Sequence, residues 1–304
     1  MKPPDLEKLR QSGRISATAL EHGRAMIRPG VKLRAVAEAC ESVIYDMGGM
    51  PAFPAQLSRN NIAAHYCSSP VDETEVQPGD IIKLDLGAHV DGYVTDNAVT
   101  VDLKGGPNSV LVAASRMALE NAIALMGPDA SITSIGEAIE TTIKAFGFNP
   151  VYNLTGHGVA RYVIHCSPSI PNYPDPKAGR LRVNQTIACE PFACDGKGYI
   201  DQEGSAEVFG LKRTPKTRDN LPKEVEEAVM ANHGLPFARR SLLRVLEKPE
   251  RVEAALRSLR KAKLLVEYPP LCEKRGVRVA QSEHTVFIGE GGAEVLTLLP
   301  KPAT

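Results

Sequence analysis

The chain lacks the marks of export, of membrane insertion and of a thiolate metal site. Its start, MKPPDLEKLRQ, has no apolar segment of the kind a secretory leader carries, so no leader is expected. No run approaches the roughly 20 apolar residues that cross a bilayer. Lysine plus arginine and aspartate plus glutamate both number 36, giving a formal net charge of zero. That balance argues against a polyanion or an anionic membrane surface as the main partner, while leaving room for a local basic patch. The six cysteines (Cys40, Cys67, Cys166, Cys189, Cys194 and Cys272) form no CxxC pair and read as reduced thiols of a cytoplasmic protein. Cys189 and Cys194 lie in an apolar strand pattern without a second pair, which points to core packing rather than ligation. With 304 residues, 43% of them hydrophobic, the chain can form a sizeable core, and global disorder is not expected.

What the sequence does contain is a repeat. Shifted by 99 residues, it overlays on itself: Ser16 meets Ser115, Glu21 meets Glu120, Pro29 meets Pro128, Glu41 meets Glu140, Gly48 meets Gly147 and Pro51 meets Pro150. Two amphipathic helices always look somewhat alike, but shared Pro and Gly punctuation at a constant offset is harder to explain that way. Each copy predicts two helices, over 5–28 and 33–47 and then over 109–126 and 131–146. Strands should follow at Ile81–His89 and Tyr93–Val101 in the first copy, and at Thr186–Phe192 and Val277–Ile288 in the second. The fold expected is α+β, in two pseudo-twofold halves whose antiparallel sheets meet in the middle. The stretch 210–266 breaks the repeat. It predicts three helices, Lys223–Asn232, Phe237–Leu246 and Pro249–Val266, and is expected to be an insertion subdomain within a domain formed by 1–209 and 267–304.

Acidic residues fall at unexpected places in the strands. IIKLDLGAHVDGYVTDNAVTV reads as a hairpin with Asp91-Gly92 at or beside its turn. A loop at Val90-Asp91 sets Asp85 and Asp96 directly opposite; a loop at Asp91-Gly92 sets them diagonally on the same face. Two facing carboxylates repel, unless a cation between them turns the cost into binding energy. Glu190 in TIACEPFA and Glu283 in VRVAQSEHTVFI sit in apolar strand patterns. Buried carboxylates are costly unless paired or bound to metal, and four of them on central strands favour a metal site over separate ion pairs.

Among the seven histidines, His22, His89 and His233 read as satisfied core residues, and for His284 that reading is the weaker option. His157 in TGHGVARY, His165 eight residues on, and His65 in NNIAAHY have contexts that favour function. The 99-residue shift brings His65 to within one residue of His165. Four carboxylates and an imidazole suit a pair of divalent ions of the Mn, Fe, Co or Zn class. Two such ions about 3.5–4 Å apart can bridge a water and lower its pKa toward neutrality. A nearby imidazole can donate to the oxyanion formed when a carbonyl is attacked.

The segments KLDLGAHVDGYVTD, TGHGVARYVIH, ACEPF and AQSEHT closely resemble the methionine aminopeptidases of the pita-bread (creatinase/aminopeptidase) fold, in metallopeptidase family M24. PAFPAQLSRNNIAAHY, LPFARR, YPPLC and the helical insertion resemble their type II branch in its short archaeal form. The resemblance covers almost the whole chain. It implies metal ligation by Asp85, Asp96, His157, Glu190 and Glu283, with Asp96 bridging or chelating and Glu283 bridging two divalent ions. It implies that Glu190 also moves the proton between water and leaving amine, and that His65 and His165 contact substrate and stabilise the tetrahedral intermediate. Phe53, Ile164 and Tyr268 match positions lining the methionine side-chain pocket. The activity implied is hydrolytic removal of the initiator methionine from nascent polypeptides, with a small second residue preferred, through hydroxide held by the dinuclear centre. A cytoplasmic monomer is expected, with no membrane partner and, from the balanced charge, no specific nucleic-acid partner; the nascent-chain substrate leaves room for proximity to the ribosome, and neither the oligomeric state nor ribosome docking is fixed by the sequence. The chain departs from the family in having Ser282 where an aromatic residue is usual and Cys194 where threonine is common; neither change removes a ligand.

Two other functions fit parts of this pattern. Proline-directed aminopeptidases and prolidases share the ligands but usually carry a separate N-terminal domain, for which roughly 28 residues before the first repeat break leave no room. Non-catalytic binding proteins on the same scaffold typically lose ligands, and all five are present here.

Overall fold

The computed structural model describes residues 1–299. Helix α1 spans Pro3–Met26 and α2 spans Leu33–Asp46; α3 spans Pro107–Ala124 and α4 spans Ile132–Ala145. The 99-residue offset holds at both ends of α2 and α4 and again at the strands that follow, which begin at Met50 and Asn149. The repeated glycines explain the common ending. Gly48 and Gly147 lie just past the C-caps with φ of +79° and +83°, a conformation that stops a helix and that glycine adopts without penalty.

The first half packs α1 and α2 on a three-stranded antiparallel sheet ordered Met50–Arg59, Ile81–Val90, Tyr93–Asp102. Its core joins Ile15, Val36, Cys40 and Ile44 of the helices to Ile82, Leu84 and Leu86 of the central strand. The second half packs α3 and α4 on a five-stranded sheet ordered Gly292–Val295, His284–Gly289, Thr186–Cys189, Thr155–Ala160, Val163–Pro171. Alternation along a strand sends one face to these helices and the other to the centre of the molecule. The two inner faces meet there.

Two predicted strands are interrupted, both beside an acid. Thr186–Cys189 stops before Glu190-Pro191 and resumes at Phe192–Cys194, because Pro191 has no N–H for the ladder. Val279–Gln281 and His284–Gly289 are separate strands with Ser282 and Glu283 between them. The helices α5, α6 and α7 (Lys223–Met230, Arg239–Leu246 and Pro249–Lys261) surround a core of their own that includes Phe209, Val229, Phe237, Leu242 and Leu256. Two helix predictions run too long here. Phe237–Ala238 is extended and pairs with Val208–Phe209, and Leu265–Tyr268 pairs with Val208–Leu211. Lys263, at φ +56°, ends the helical run before Val266. Of the histidines expected in the core, His89 is buried, whereas His22 and His233 are exposed. All six cysteines are free, and five are buried.

Candidate metal centre

Four segments from the two halves converge where the inner faces meet. Asp85 and Asp96 come from the first-half hairpin and His157 from the strand Thr155–Ala160; Glu190 and Glu283 come from the two strand interruptions. His157 is flanked by glycines for a steric reason. A Cβ at Gly156 would lie 2.5 Å from the Ala188 carbonyl oxygen, and one at Gly158 would lie 2.5 Å from that of Ser167. Only bare backbone lets this strand run so close to both neighbours and carry its imidazole to the centre.

The seam is fastened by two threonines. The Thr285 hydroxyl accepts from the Asp96 N–H and donates to the Asp96 carbonyl, both at 2.7 Å. The Thr100 hydroxyl does the same for Gln281, at 2.8 and 2.6 Å. The Glu283 N–H donates to the Ala98 carbonyl at 3.1 Å. Backbone that carries the clustered acids in one half is therefore fixed by the other. Behind Glu283, the Ser282 N–H donates to the Pro191 carbonyl, and the Ser282 and Ser115 hydroxyls lie 3.0 Å apart.

Asp96, His157 and Glu283 each offer an atom within 4.8 Å of the others. His157 Nε2 lies 3.7 Å from Asp96 Oδ2 and 3.4 Å from Glu190 Oε1. The Gln281 amide nitrogen lies 3.3 Å from Asp85, Glu190 and Glu283 alike. Asp85 Oδ1 and Glu283 Oε1 are buried with no protein partner. Burial pushes Asp85 up to about 7. Burial and the neighbouring acids hold Asp96, Glu190 and Glu283 well above the usual carboxylate range. His157 goes the other way, to about 3, through burial and the adjacent His165, so its imidazole is neutral and free to donate a lone pair. Crowded acids with orphaned oxygens beside a neutral imidazole are poorly solvated as they stand and are satisfied by divalent cations.

A cavity of about 550 Å³ opens onto this cluster. It is lined by Phe53, His65, Asp85, Asp96, His157, Ile164, His165, Glu190 and Tyr268; Glu283 lies behind it, only 1% exposed. Nine of the ten predicted site residues thus border one space, and the tenth backs it. Phe53 and Ile164 share an apolar cluster with Ala52, Val94, Val159 and Leu235. His165 stands edge-on to His157 with ring centres 4.3 Å apart, and His65 stands edge-on to Tyr268 at 5.7 Å. Burial and then His165 lower His65 to about 4, and His65 Nδ1 is buried without a partner. His165 is lowered by the protein around it although its ring is reached from the cavity mouth.

Sequence reasoning missed two glutamines. Gln281 stands two residues before Glu283, a spacing that on an unbroken strand would put both on one face and could have drawn attention to it. Gln56 borders the cavity and its Oε1 accepts from the His65 N–H at 2.8 Å. No local pattern marks it, because it reaches the cavity through a bulge.

The pattern of metallopeptidase family M24 matches residues 7–235. The chain is similar to the methionine aminopeptidase of Archaeoglobus fulgidus, with 40% identity over 96% of this chain and 98% of that protein. It is 40% identical to that of Thermococcus onnurineus, over 96% of this chain and 99% of the relative. The crystal structure of methionine aminopeptidase from Thermotoga maritima superposes with a TM-score of 0.71 at 25% identity, covering 98% of each chain. The pita-bread fold expected from the sequence is therefore present. Full-length kinship, a common fold and a donor set suited to divalent metal lead to one conclusion: the chain belongs to metallopeptidase family M24.

Proposed function

We propose that this protein is a methionine aminopeptidase, a metal-dependent hydrolase that removes the N-terminal methionine of polypeptides. The observation that carries the reading is the meeting of four acids and a neutral imidazole, from both halves of the fold, at one end of a partly apolar cavity. Identity of 40% along almost the whole length of archaeal methionine aminopeptidases supports the substrate.

Asp85, Asp96, His157, Glu190 and Glu283 would hold two divalent ions. When bound, these supply Lewis acidity, which lowers the pKa of a water and polarises a carbonyl. Glu190 borders the cavity and would pass a proton from the water to the departing amine. His65 and His165 are neutral near pH 7 and can donate an N–H to the developing oxyanion without bringing a charge of their own. Phe53, Ile164 and Tyr268 form the apolar side where an unbranched thioether fits. A small second residue is the preferred substrate context.

The division into a catalytic domain (1–209 and 267–304) and an insertion subdomain (210–266) belongs to the same proposal, supported by the separate core of α5 to α7. So do cytoplasmic action as a monomer and work close to the ribosome. Residues 210–266 carry twice as many lysines and arginines as aspartates and glutamates, which suits approach to an anionic particle. No helix among the described residues is long and apolar enough to cross a membrane.

The test is release of free methionine from a Met-Ala-Ser peptide by chelated protein reloaded with Co²⁺, Mn²⁺, Fe²⁺ or Zn²⁺. Methionine release restored by at least one ion is the expected result. Cleavage of X-Pro peptides with Met-Ala-Ser left intact would overturn the proposal.

A further inference from the structure

Phe53 and Gln56 are three residues apart, so on an uninterrupted strand they would face opposite sides of the sheet. Both border the cavity. The register explains how: Phe53 pairs with Gly87 and Gln56 with Asp85, so three steps along one strand match two along the other. This is a β-bulge, and its extra residue turns both side chains to the same face.

A bulge leaves backbone groups without ladder partners, and here one buried ion pair takes them. The Ala55 N–H donates to Glu41 Oε1 at 3.1 Å, and the Ala55 carbonyl accepts from Arg240 Nη2 at 3.3 Å. Glu41 belongs to α2 and Arg240 to α6, the two side chains bond directly, and the residues are only 3% and 4% exposed. The other terminal Arg240 nitrogen, Nη1, bonds Cys67 Sγ and the Ser68 carbonyl, just past His65. His65 has φ +68°, a strained setting for a non-glycine residue, and its N–H is held by Gln56. One guanidinium from the helical insertion thus fixes the bulge on one side of the cavity and the histidine loop on the other. A buried ion pair adds little net stability compared with an apolar replacement, so what it contributes here is geometry.

We propose that Glu41 and Arg240 are positioning residues for substrate recognition, through which the insertion sets Phe53 and His65 against the bound methionine. This rests on the assignment of Phe53 and His65 to the substrate cavity made above.

The test uses Arg240→Lys and Glu41→Gln in the full chain. Expected are folded proteins that bind Mn²⁺ with the parental dissociation constant by calorimetry. KM for Met-Ala-Ser should rise about tenfold, and the preference for methionine over leucine should narrow by about the same factor, the scale of a misfitted apolar pocket. Parental KM and parental preference in either folded, Mn²⁺-binding variant would overturn the inference. So would failure of both variants to fold, which would make the pair simply structural. Phe53→Ala separates the two levels. If it too leaves KM and preference unchanged, the cavity assignment fails; if it shifts them while the pair variants do not, only the positioning role fails.

Discussion

Asp85 and Asp96 stand diagonally across their hairpin: Asp85 pairs with Ala98, and Asp96 pairs with Gly87. The turn decides this. Asp91 and Gly92 both have positive φ, at +50° and +82°, the primed geometry that closes a two-residue loop. Of the two registers open in the sequence, only the diagonal one follows. It sets the two residues about 7–8 Å apart on one sheet face, so that their side chains can turn toward a common point instead of facing each other directly.

Asp96→Asn removes one charge from the crowd and one proposed ligand from the cluster. In the presence of a chelator, this variant should melt above the chelated parent, by about 2–4 °C for each kcal/mol of repulsion relieved. Added metal should raise the parent's midpoint much more than the variant's. Methionine release should fall by more than about 100-fold, beyond the 10–100-fold typical of residues that only orient a ligand. Thermal melts with and without metal, alongside the peptide assay, check all three.

The same acids set the pH dependence of the metal-free fold. Their pKa values are raised in the folded state, up to about 7 for Asp85 and well above the ordinary range for Asp96, Glu190 and Glu283. The folded state then holds more protons than the unfolded one, so the stability they contribute declines as pH rises toward their folded values. The buried His89 and His157 and the half-buried His65 and His284 act in the opposite direction, since their folded pKa values are near 3–4. Their effect is complete by about pH 6.5, the unfolded imidazole value. Above that the four acids outnumber Lys83, whose pKa is lowered by full burial and which acts the other way. Chelated protein should therefore lose thermal stability between about pH 6.5 and pH 8.5, and metal should abolish the loss. A flat or rising midpoint in chelator would contradict the assignment of four crowded acids.

The repeat was readable because it lies in punctuation: Gly48 and Gly147 end equivalent helices and Met50 and Asn149 begin equivalent strands. The acids were readable as charges in apolar strand patterns. The strand breaks at Glu190-Pro191 and Ser282-Glu283 were not, since the hydrophobic alternation continues across them and only the partner strand shows that pairing lapses. Gln56 and Arg240 were hidden for a related reason. One reaches the cavity through a bulge and the other from a distant insertion, and neither a bulge nor a long-range ion pair leaves a local trace.

His165→Ala should separate chemistry from metal binding. The ring stands edge-on to His157 and borders the cavity, and its proposed role is toward substrate and not toward metal. Metal affinity by calorimetry should stay near the parental value. The loss should appear in kcat, at about 10²–10³-fold, the scale of one missing oxyanion donor. An unchanged kcat would remove His165 from the reaction.

Gln281 gives the sharpest test of how the acids are held. Thr100 fixes its backbone in both directions, and its amide nitrogen is 3.3 Å from oxygens of Asp85, Glu190 and Glu283. An amide has two N–H donors, so it can serve at most two of the three at once. Its own Oε1 is buried without a partner. Keeping such a group fully buried is costly unless the oriented carboxylates repay it when metal arrives. Gln281→Met keeps length and volume but removes both donors, and should weaken Mn²⁺ binding by about 10–100-fold with the fold intact. Gln281→Glu keeps the shape but adds a fifth carboxylate. In chelator it should melt below both the parent and the methionine variant, and metal should recover most of the difference. Calorimetric titration of the two variants side by side distinguishes donor loss from charge gain. Parental Mn²⁺ affinity in Gln281→Met would show that the carboxylates are positioned by their own backbones alone.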